Sequence, residues 1–241
     1  MNIKSRSDQE IKLGWIVLDS FVEDVIRVAK NLDRKISILC ISTGSGWYDY
    51  HICKALTKAD VKFSLVATDI VDCAVDLSDK KFLTDNFNWS FLKVIPEARL
   101  PFRNSSFDIV YHTDVIEHVN KPFLFSSECY RVLKWGGYMI FSTPNLFRIS
   151  NIIRLILGKL SFPRTQGFSA LKAVGMEYHI KEYSNFDLKL LFTEVGFTKF
   201  IVKYIYFGIH FLDLAFSYLP KSRFCKFFSH YLIVSVCKLK Q

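Results

Sequence analysis

The stretch from Leu100 to Asn145 constrains the fold more than any other part of this 241-residue chain. Residues 107–113 form a short, mostly apolar run, which is typical of a parallel strand that is covered on both faces. Residues 126–134 have the spacing of an amphipathic helix, and we expect Gly136-Gly137 to end that helix. Residues 138–142 are apolar again and predict a second buried strand. A strand, a helix and a strand in this order predict an α/β fold.

A glycine-containing turn lies further upstream, directly after an apolar run at 36–41. The turn contains Gly44 and Gly46, and a G-x-G turn lets the backbone approach a ligand closely because glycine has no Cβ and tolerates positive φ. The next strand, at 62–68, runs into Asp69. In a doubly wound sheet, a carboxylate at this position accepts hydrogen bonds from ribose hydroxyls. Together these features indicate a nucleotide-type site.

The residue at the start of the helix after this turn distinguishes between two kinds of nucleotide ligand. A dinucleotide fold uses a third glycine there, so that the helix start can receive a pyrophosphate. This chain has Asp49 at that position, and its negative charge would repel a diphosphate. S-adenosylmethionine has no phosphate and carries a sulfonium cation, so an acidic residue is compatible with it. The sequence therefore disfavours NAD and favours a methyl donor.

Short motifs between Leu100 and Asn145 resemble those of a known family. They are LPF at 100–102, SFDIV at 106–110, VIEHV at 115–119, RVLKWGG at 131–137 and STPN at 142–145. In this order they resemble the class I S-adenosylmethionine-dependent methyltransferases. The resemblance implies an α/β, Rossmann-like sheet of seven mostly parallel strands with helices on both faces. The implied strand order is 3-2-1-4-5-7-6, with strand 7 antiparallel.

The resemblance also implies a cofactor and the residues that bind it. The methyl donor is expected to be S-adenosyl-L-methionine, and the product S-adenosyl-L-homocysteine. The expected donor-binding residues are Ser42, Gly44, Gly46, Asp69, Ile70, Glu97, Ala98 and Thr113.

A few positions depart from the family's pattern. Cys40 stands where the family has an acidic residue, Ser42 where it has the first glycine, and Trp135 where it has a proline. Pro96 lies near the usual aspartate that pairs with the adenine amine, and Glu97 can replace that aspartate with a change of register. These departures keep a second hypothesis open, namely a non-catalytic cofactor-binding or scaffold protein that retains the fold.

The length of the chain and the lack of repeats predict one domain over residues 1–241, and the resemblance implies that it is a methyltransferase domain. We expect its core at about 34–145 and 179–238. Substrate-side insertions are expected at about 146–178 and 207–228.

Further elements follow from local patterns. An amphipathic helix is predicted over Val17–Leu32, and a capping-box-like pattern at Ser184–Asp187 predicts another helix that Gly196 ends. Strands are expected near 36–41, 62–68, 89–95, 107–113, 137–142, 199–207 and 229–238.

Cysteine usage and the N-terminus bear on the cellular compartment. The six cysteines show no C-x-x-C pair and mostly occupy apolar positions, which is typical of buried thiols in a reducing environment rather than disulfides or zinc ligands. The N-terminal MNIKSRSDQEIK is polar, which argues against a secretory signal. We therefore expect a cytoplasmic protein.

Basic and aromatic residues are interleaved from Lys199 to the end of the chain, where seven lysines and arginines face one acid, Asp213. This pattern suits a helix in the headgroup region of an anionic membrane, and it also suits core packing with a solvated basic edge. Nucleic acid is disfavoured because no recognisable binding module is present. The apolar run at 204–219 is too short to span a bilayer. The favoured hypothesis is a peripheral contact with the inner membrane surface through 147–160 and 207–228.

Two histidines are candidates for a catalytic base. Methyl transfer from a sulfonium is an in-line displacement, so the protein supplies alignment, a dry pocket and, for a hydroxyl acceptor, a base. His118 follows the fourth strand, at the edge where open α/β sheets bind ligands, and His179 follows the first insertion. Packing or local hydrogen bonding is the competing role for each histidine.

One segment of the chain resembles a metal-binding motif. Asp114-Val-Ile-Glu117-His118 resembles the D/E-x-x-E-H segment of ubiquinone-pathway O-methyltransferases, which can carry a divalent metal. Carboxylates and imidazole are plausible ligands for Mg²⁺ or a similar ion. The same spacing is common in relatives without a metal, and we therefore predict none.

The acceptor is predicted by analogy. STPN, followed by a basic apolar insertion and then by HIKEYS at 179–184, resembles bacterial methyltransferases of sugar, cell-surface glycan and lipid-linked biosynthesis. The expected reaction is methyl transfer to a hydroxyl oxygen of such an acceptor. The alternative enzyme is a quinone or polyprenyl-phenol O-methyltransferase.

Overall fold

A seven-stranded sheet forms the centre of the computed structural model, which describes residues 8–32, 34–72, 75–162, 179–206 and 229–239. The strand order is β3-β2-β1-β4-β5-β7-β6, and only β7 runs antiparallel to its neighbours. The predicted fold class, order and antiparallel strand are confirmed. The strands are β1 Ile36–Ile41, β2 Phe63–Asp69, β3 Trp89–Lys93, β4 Phe107–Thr113, β5 Leu133–Pro144, β6 Lys199–Ile205 and β7 Tyr231–Cys237.

Helices connect these strands and cover both faces of the sheet. They are α1 Asp8–Asn31, α2 Trp47–Lys58, α3 Leu77–Asn86, α4 Pro122–Val132, α5 Ile149–Ile156 and α6 Asn185–Val195, with a single 3₁₀ turn at Ile116–His118 among the described residues.

Apolar side chains of the sheet alternate between two cores. Ile38 and Tyr111 face the core under α1 and α2, whereas Leu39 and Val110 face the core under α4 and α6. This alternation follows from the two-residue period of a strand, and it explains why the strand sequences are apolar without interruption. The amphipathic helix predicted over Val17–Leu32 lies in α1, and its apolar face is buried at Val17, Phe21, Val25 and Val28, with Leu32 packed at its margin.

The predicted boundaries of α6 are confirmed in detail. Ser184 and Asp187 form a reciprocal capping box, in which the Ser184 hydroxyl accepts from the Asp187 amide. Gly196 ends the helix in the left-handed conformation, with φ of 109°. Both signals are local, so they can be read without tertiary information.

The role predicted for Gly136-Gly137 is wrong. Helix α4 ends at Val132 and β5 begins at Leu133, so both glycines lie inside β5, where the pairing with β4 shifts register. A Cβ on Gly137 would lie 2.9 Å from the backbone oxygen of Asp108, and Gly136 has φ of 80°. The glycines therefore permit an irregular start to this strand rather than a helix stop.

Two other expectations concern cysteines and membranes. Cys40, Cys53, Cys129 and Cys237 are free and buried, as predicted, and the other two cysteines lie outside the described residues. Within the part of the chain that the structure describes, no helix is long and apolar enough to cross a bilayer. The segment 207–228 lies outside the described residues, so the membrane hypothesis can be followed structurally only at 147–160.

Candidate functional site

The candidate site lies at the edge of the sheet where the parallel strands end. Strands β1, β2, β3, β4 and β5 all run in the same direction, so the loops that follow them meet at one edge. The predicted donor residues up to Ala98 follow β1, β2 and β3. Thr113 is the last residue of β4, and His118 lies in the turn after it, next to the end of β5. We refer to the loops after β1, β2 and β3 as the predicted donor side, and to the turn after β4 together with the end of β5 as the predicted acceptor side.

Three residues of the turn after β1 adopt positive φ. The φ angles are 59° at Ser42, 55° at Gly44 and 76° at Gly46. A Cβ on Gly44 would meet nothing within 4 Å, whereas one on Gly46 would come within 3.3 Å of Val75. Gly44 therefore borders open space at the sheet edge, and Gly46 is required by conformation and packing. Ser42 holds the strained conformation that a glycine would adopt without cost.

Asp69 ties the end of β2 to this turn. Its carboxylate accepts hydrogen bonds from the amides of Gly44, at 3.0 Å, and Val71, at 3.2 Å, and the residue is 8% exposed. The next residue, Ile70, is 48% exposed. Asp69 thus lies beside Gly44 where the sequence places it, and its role toward a ribose remains a prediction.

Asp49 does not lie where its charge was expected to repel a diphosphate. It is fully buried and accepts hydrogen bonds from the Thr43 hydroxyl at 2.7 Å, from the Trp89 indole at 2.8 Å and from the Tyr111 hydroxyl. Burial raises the pKa of its carboxyl above the usual value. Asp49 therefore supports the turn from below instead of facing a ligand. Its apolar neighbours in α2 were the available signal that it is buried.

Glu97 and Ala98 lie in the loop after β3. One oxygen of Glu97 accepts from the backbone amide of Asn120 at 2.6 Å, which joins this loop to the loop after β4. Ala98 is exposed. The donor residues predicted from the resemblance thus lie on consecutive loops of one edge, and their contacts with adenine remain a prediction.

The predicted acceptor side is built on the 3₁₀ turn after β4. Glu117 is fully buried, and its Oε2 accepts from the Thr143 hydroxyl of β5 at 3.0 Å. Its backbone oxygen accepts from the amide of Ile180 at 2.8 Å. Burial, and then the nearby charges of Asp114 and Glu182, raise the pKa of the Glu117 carboxyl well above the usual value.

The two candidate histidines meet at this point. The segment that carries His179 is held at the edge by the Ile180 contact and by an isolated parallel bridge between Asn145 and Tyr183. The rings of His118 and His179 are 4.9 Å apart and nearly perpendicular. Nδ1 of His179 lies 2.9 Å from Oε1 of the buried Glu182. The sequence identified both histidines, and it did not identify Glu182.

One group of described residues has the composition of a metal site. Glu117, His118 and His179 can each offer one ligand atom, and these atoms lie within 4.8 Å of one another. Two imidazoles and a carboxylate suit a borderline divalent ion, such as Zn²⁺ or Fe²⁺, better than Mg²⁺. The absence of a metal remains a prediction, which a chelator can test in any activity assay.

Comparisons with known proteins show what part of this chain is similar to. Residues 39–141 match the family described as "Methyltransferase domain". A protein of Mycolicibacterium smegmatis, described as a probable S-adenosylmethionine-dependent methyltransferase, is 45% identical over 53 residues; the match spans 22% of this chain and 21% of that protein.

Solved structures share the fold. A DszA carbon methyltransferase has a TM-score of 0.63 at 18% identity, over 92% of this chain and 55% of that chain. An S-adenosylmethionine-dependent methyltransferase from Archaeoglobus fulgidus has a TM-score of 0.59 at 16% identity, over 92% of this chain and 94% of that chain.

Proposed function

We propose, from the premise that residues 39–141 form a class I methyltransferase domain whose donor is S-adenosylmethionine, that the protein methylates a hydroxyl oxygen. The proposed acceptor is a sugar, a glycan or a lipid-linked molecule. The observation that carries the proposal is the pairing of His179 with Glu182 beside His118, on the acceptor side of the sheet edge.

The chemistry follows from the donor. The sulfonium already activates the methyl group, so the acceptor oxygen attacks the methyl carbon as the carbon–sulfur bond breaks, and S-adenosylhomocysteine leaves. The hydroxyl proton passes to a ring nitrogen of His179 or His118. The loops after β1 and β2 hold the donor, while the acceptor is aligned from the side of β4 and β5, so the two reactants meet at their junction.

A lipid-linked acceptor is supported by helix α5. Ile153, Leu155 and Ile156 are 51%, 63% and 78% exposed, and the basic Lys159 follows the helix. An apolar helix surface next to basic residues suits the interface of an anionic membrane. We therefore place the protein in the cytoplasm, with a peripheral contact at the inner membrane surface.

The non-catalytic hypothesis has one specific observation in its favour. Ser42 holds φ of 59° in the donor turn, where its hydroxymethyl group takes up space that a glycine would leave open. Calorimetry with S-adenosylmethionine and S-adenosylhomocysteine tests this hypothesis directly. Donor binding without any transfer to the acceptors below supports it.

The test of the proposed function is methyl transfer from radiolabelled S-adenosylmethionine. The acceptors are a free hexose, a hexose linked to an isoprenyl phosphate and a polyprenyl phenol. Labelling of a hexose hydroxyl supports the proposal, whereas labelling of the phenol alone favours the quinone-type alternative. Donor binding must be measured in parallel, because a protein that binds no donor contradicts every enzymatic assignment.

Replacement of the candidate bases extends this test. His118→Gln or His179→Gln is expected to lower kcat by about 10²- to 10⁴-fold, because the hydroxyl proton loses its acceptor. The affinity for S-adenosylhomocysteine, measured by calorimetry, should stay nearly constant. A variant that loses donor binding to the same extent as kcat would show that its histidine is structural.

A further inference from the structure

Glu182 is a fully buried carboxylate with polar partners on both oxygens. Oε1 accepts a hydrogen bond from Nη2 of Arg148 at 2.6 Å and faces Nδ1 of His179 at 2.9 Å. Oε2 accepts from Nδ2 of Asn151 at 2.7 Å. Burial of a charged carboxylate costs free energy unless the charge is paired, so Arg148, Asn151 and His179 together stabilise Glu182 in this position.

We propose that Glu182 is a positioning residue that sets the tautomer and orientation of His179 and connects this histidine to helix α5. The inference rests on the proposed function, in which His179 or His118 accepts the hydroxyl proton, and it takes His179 as that base. Glu182 itself makes no contact with the reacting atoms in this scheme; it acts through the imidazole.

The tautomer follows from the geometry. A carboxylate that faces Nδ1 at hydrogen-bond distance accepts the Nδ1–H proton, so the neutral ring carries its lone pair on Nε2. Nε2 is then the ring nitrogen that can accept a proton from the acceptor. The same pairing stabilises the imidazolium that forms during transfer, as a buried carboxylate does in hydrolytic triads.

The position of Glu182 depends in turn on the start of α5. Arg148 is the N-cap residue of this helix and is 14% exposed at its side chain, and Asn151 lies buried in the first turn. Asn151 also donates to the backbone oxygen of Leu146 at 2.8 Å, which fixes the amide orientation that faces Glu182. A displacement of α5 therefore moves the carboxylate that holds His179.

A structural ion pair would show the same contacts, so the test needs a readout specific to the imidazole. The first variant, Glu182→Gln, keeps the length of the side chain and removes its charge. Its matched control is Glu194→Gln, which makes the same change at an exposed position of α6. The second variant is the double change Glu182→Met with Arg148→Met, which removes both charges so that neither is left buried and unpaired.

The tautomer of His179 is read by long-range proton–nitrogen correlation NMR on the protein with S-adenosylhomocysteine bound. We expect the wild type and Glu194→Gln to have the proton on Nδ1, and the double variant to show a mixture of tautomers. Calorimetry should give unchanged affinity for S-adenosylhomocysteine in all variants. A double variant that folds and retains the single Nδ1–H tautomer overturns the proposal.

Kinetics supply the second readout, with whichever of the three acceptors is methylated by the wild type. Glu182→Gln is expected to lower kcat by about 10- to 100-fold with little change in the KM for the donor. An unchanged kcat overturns the proposal. If none of the acceptors is methylated, the proposed function fails on its own, and the NMR result still decides the role of Glu182. If the double variant does not fold, the kcat and tautomer of Glu182→Gln decide it.

Discussion

Asp69 is the single residue whose replacement tests the donor side most directly. We expect Asp69→Ala to weaken S-adenosylhomocysteine binding about 10- to 100-fold, because charge-assisted hydrogen bonds of roughly 1.5–3 kcal/mol are lost. Part of this loss arises from the turn, since the carboxylate also holds the Gly44 and Val71 amides. Calorimetry measures the change.

The control for this prediction is Asp85→Ala, which removes an exposed carboxylate from α3. Asp69→Asn adds a finer comparison, since an amide oxygen can still accept one hydrogen bond from the turn. Equal affinity in Asp69→Ala and the parent protein would mean that this carboxylate does not contact the donor.

At the residue scale, the sequence predicted sites that depend on local pattern and missed those that depend on distant contacts. Gly44 and Asp69 could be placed because each lies at, or a few residues after, the end of a recognisable strand. The approach of His179 to His118 depends on how the chain returns after 163–178, which no local pattern encodes. Glu182 looked like an ordinary polar residue, because its burial results from Arg148 and Asn151.

Helix α5 carries the prediction that belongs to the scale of elements. We expect the protein to float with vesicles that contain phosphatidylglycerol, and less so as salt increases, because basic residues near an anionic surface contribute about 1 kcal/mol each. Leu155→Ser together with Ile156→Ser should weaken this binding at least about tenfold, since each buried apolar side chain contributes about 1.5–3 kcal/mol.

Leu190→Ser is the matched control, because it changes an exposed leucine on α6, which is 54% exposed. Pure phosphatidylcholine vesicles separate the electrostatic part from the apolar part. Equal flotation of the parent and the α5 variant would exclude this helix as the contact and leave 207–228 to be tested by charge reversal of Lys221, Arg223 and Lys226.

Element boundaries were predictable where a capping signal or an apolar run ended sharply. Strands β1 and β4 match their predicted limits, and α6 begins and ends at its caps. The first turns of α1 and the whole of α5 were not predicted as helix. The start of α5 is held by tertiary contacts, the Arg148 and Asn151 bonds to Glu182, which no local pattern encodes. The helix end predicted at Gly136-Gly137 was wrong because glycines are typical both of a β-bulge and of the end of a helix.

The pH dependence of the free energy of unfolding should be determined in part by His112, which lies in β4. This residue is fully buried, stacks on Phe141, and has no hydrogen-bond partner at either ring nitrogen among the described residues. Burial lowers the pKa of its imidazole to about 3. The unfolded chain binds a proton here near its ordinary pKa of about 6.5, so the unfolded state gains protons first as the pH falls.

The contribution of His112 to the free energy of unfolding should therefore be constant above about pH 6.5 and should fall below it, by about 1.4 kcal/mol per pH unit and about 5 kcal/mol in total. His112→Leu should remove this dependence. Denaturant unfolding at pH 8 serves as the control condition, because the imidazole is neutral in both states there. Parallel stability curves for the two proteins between pH 6.5 and 4 would contradict the prediction.

The order of segments along the chain has a consequence for how such a molecule can diversify. Apart from Thr113 at the end of β4, the residues predicted to bind the donor all precede Phe107, whereas Glu117, His179 and Glu182 follow β4. Nearly all of the predicted cofactor-binding part is thus contiguous in the gene, and the proposed acceptor-binding part is encoded after it. Under this assignment, a single recombination event near β4 exchanges the proposed acceptor-binding part and leaves most of the predicted cofactor-binding part unchanged.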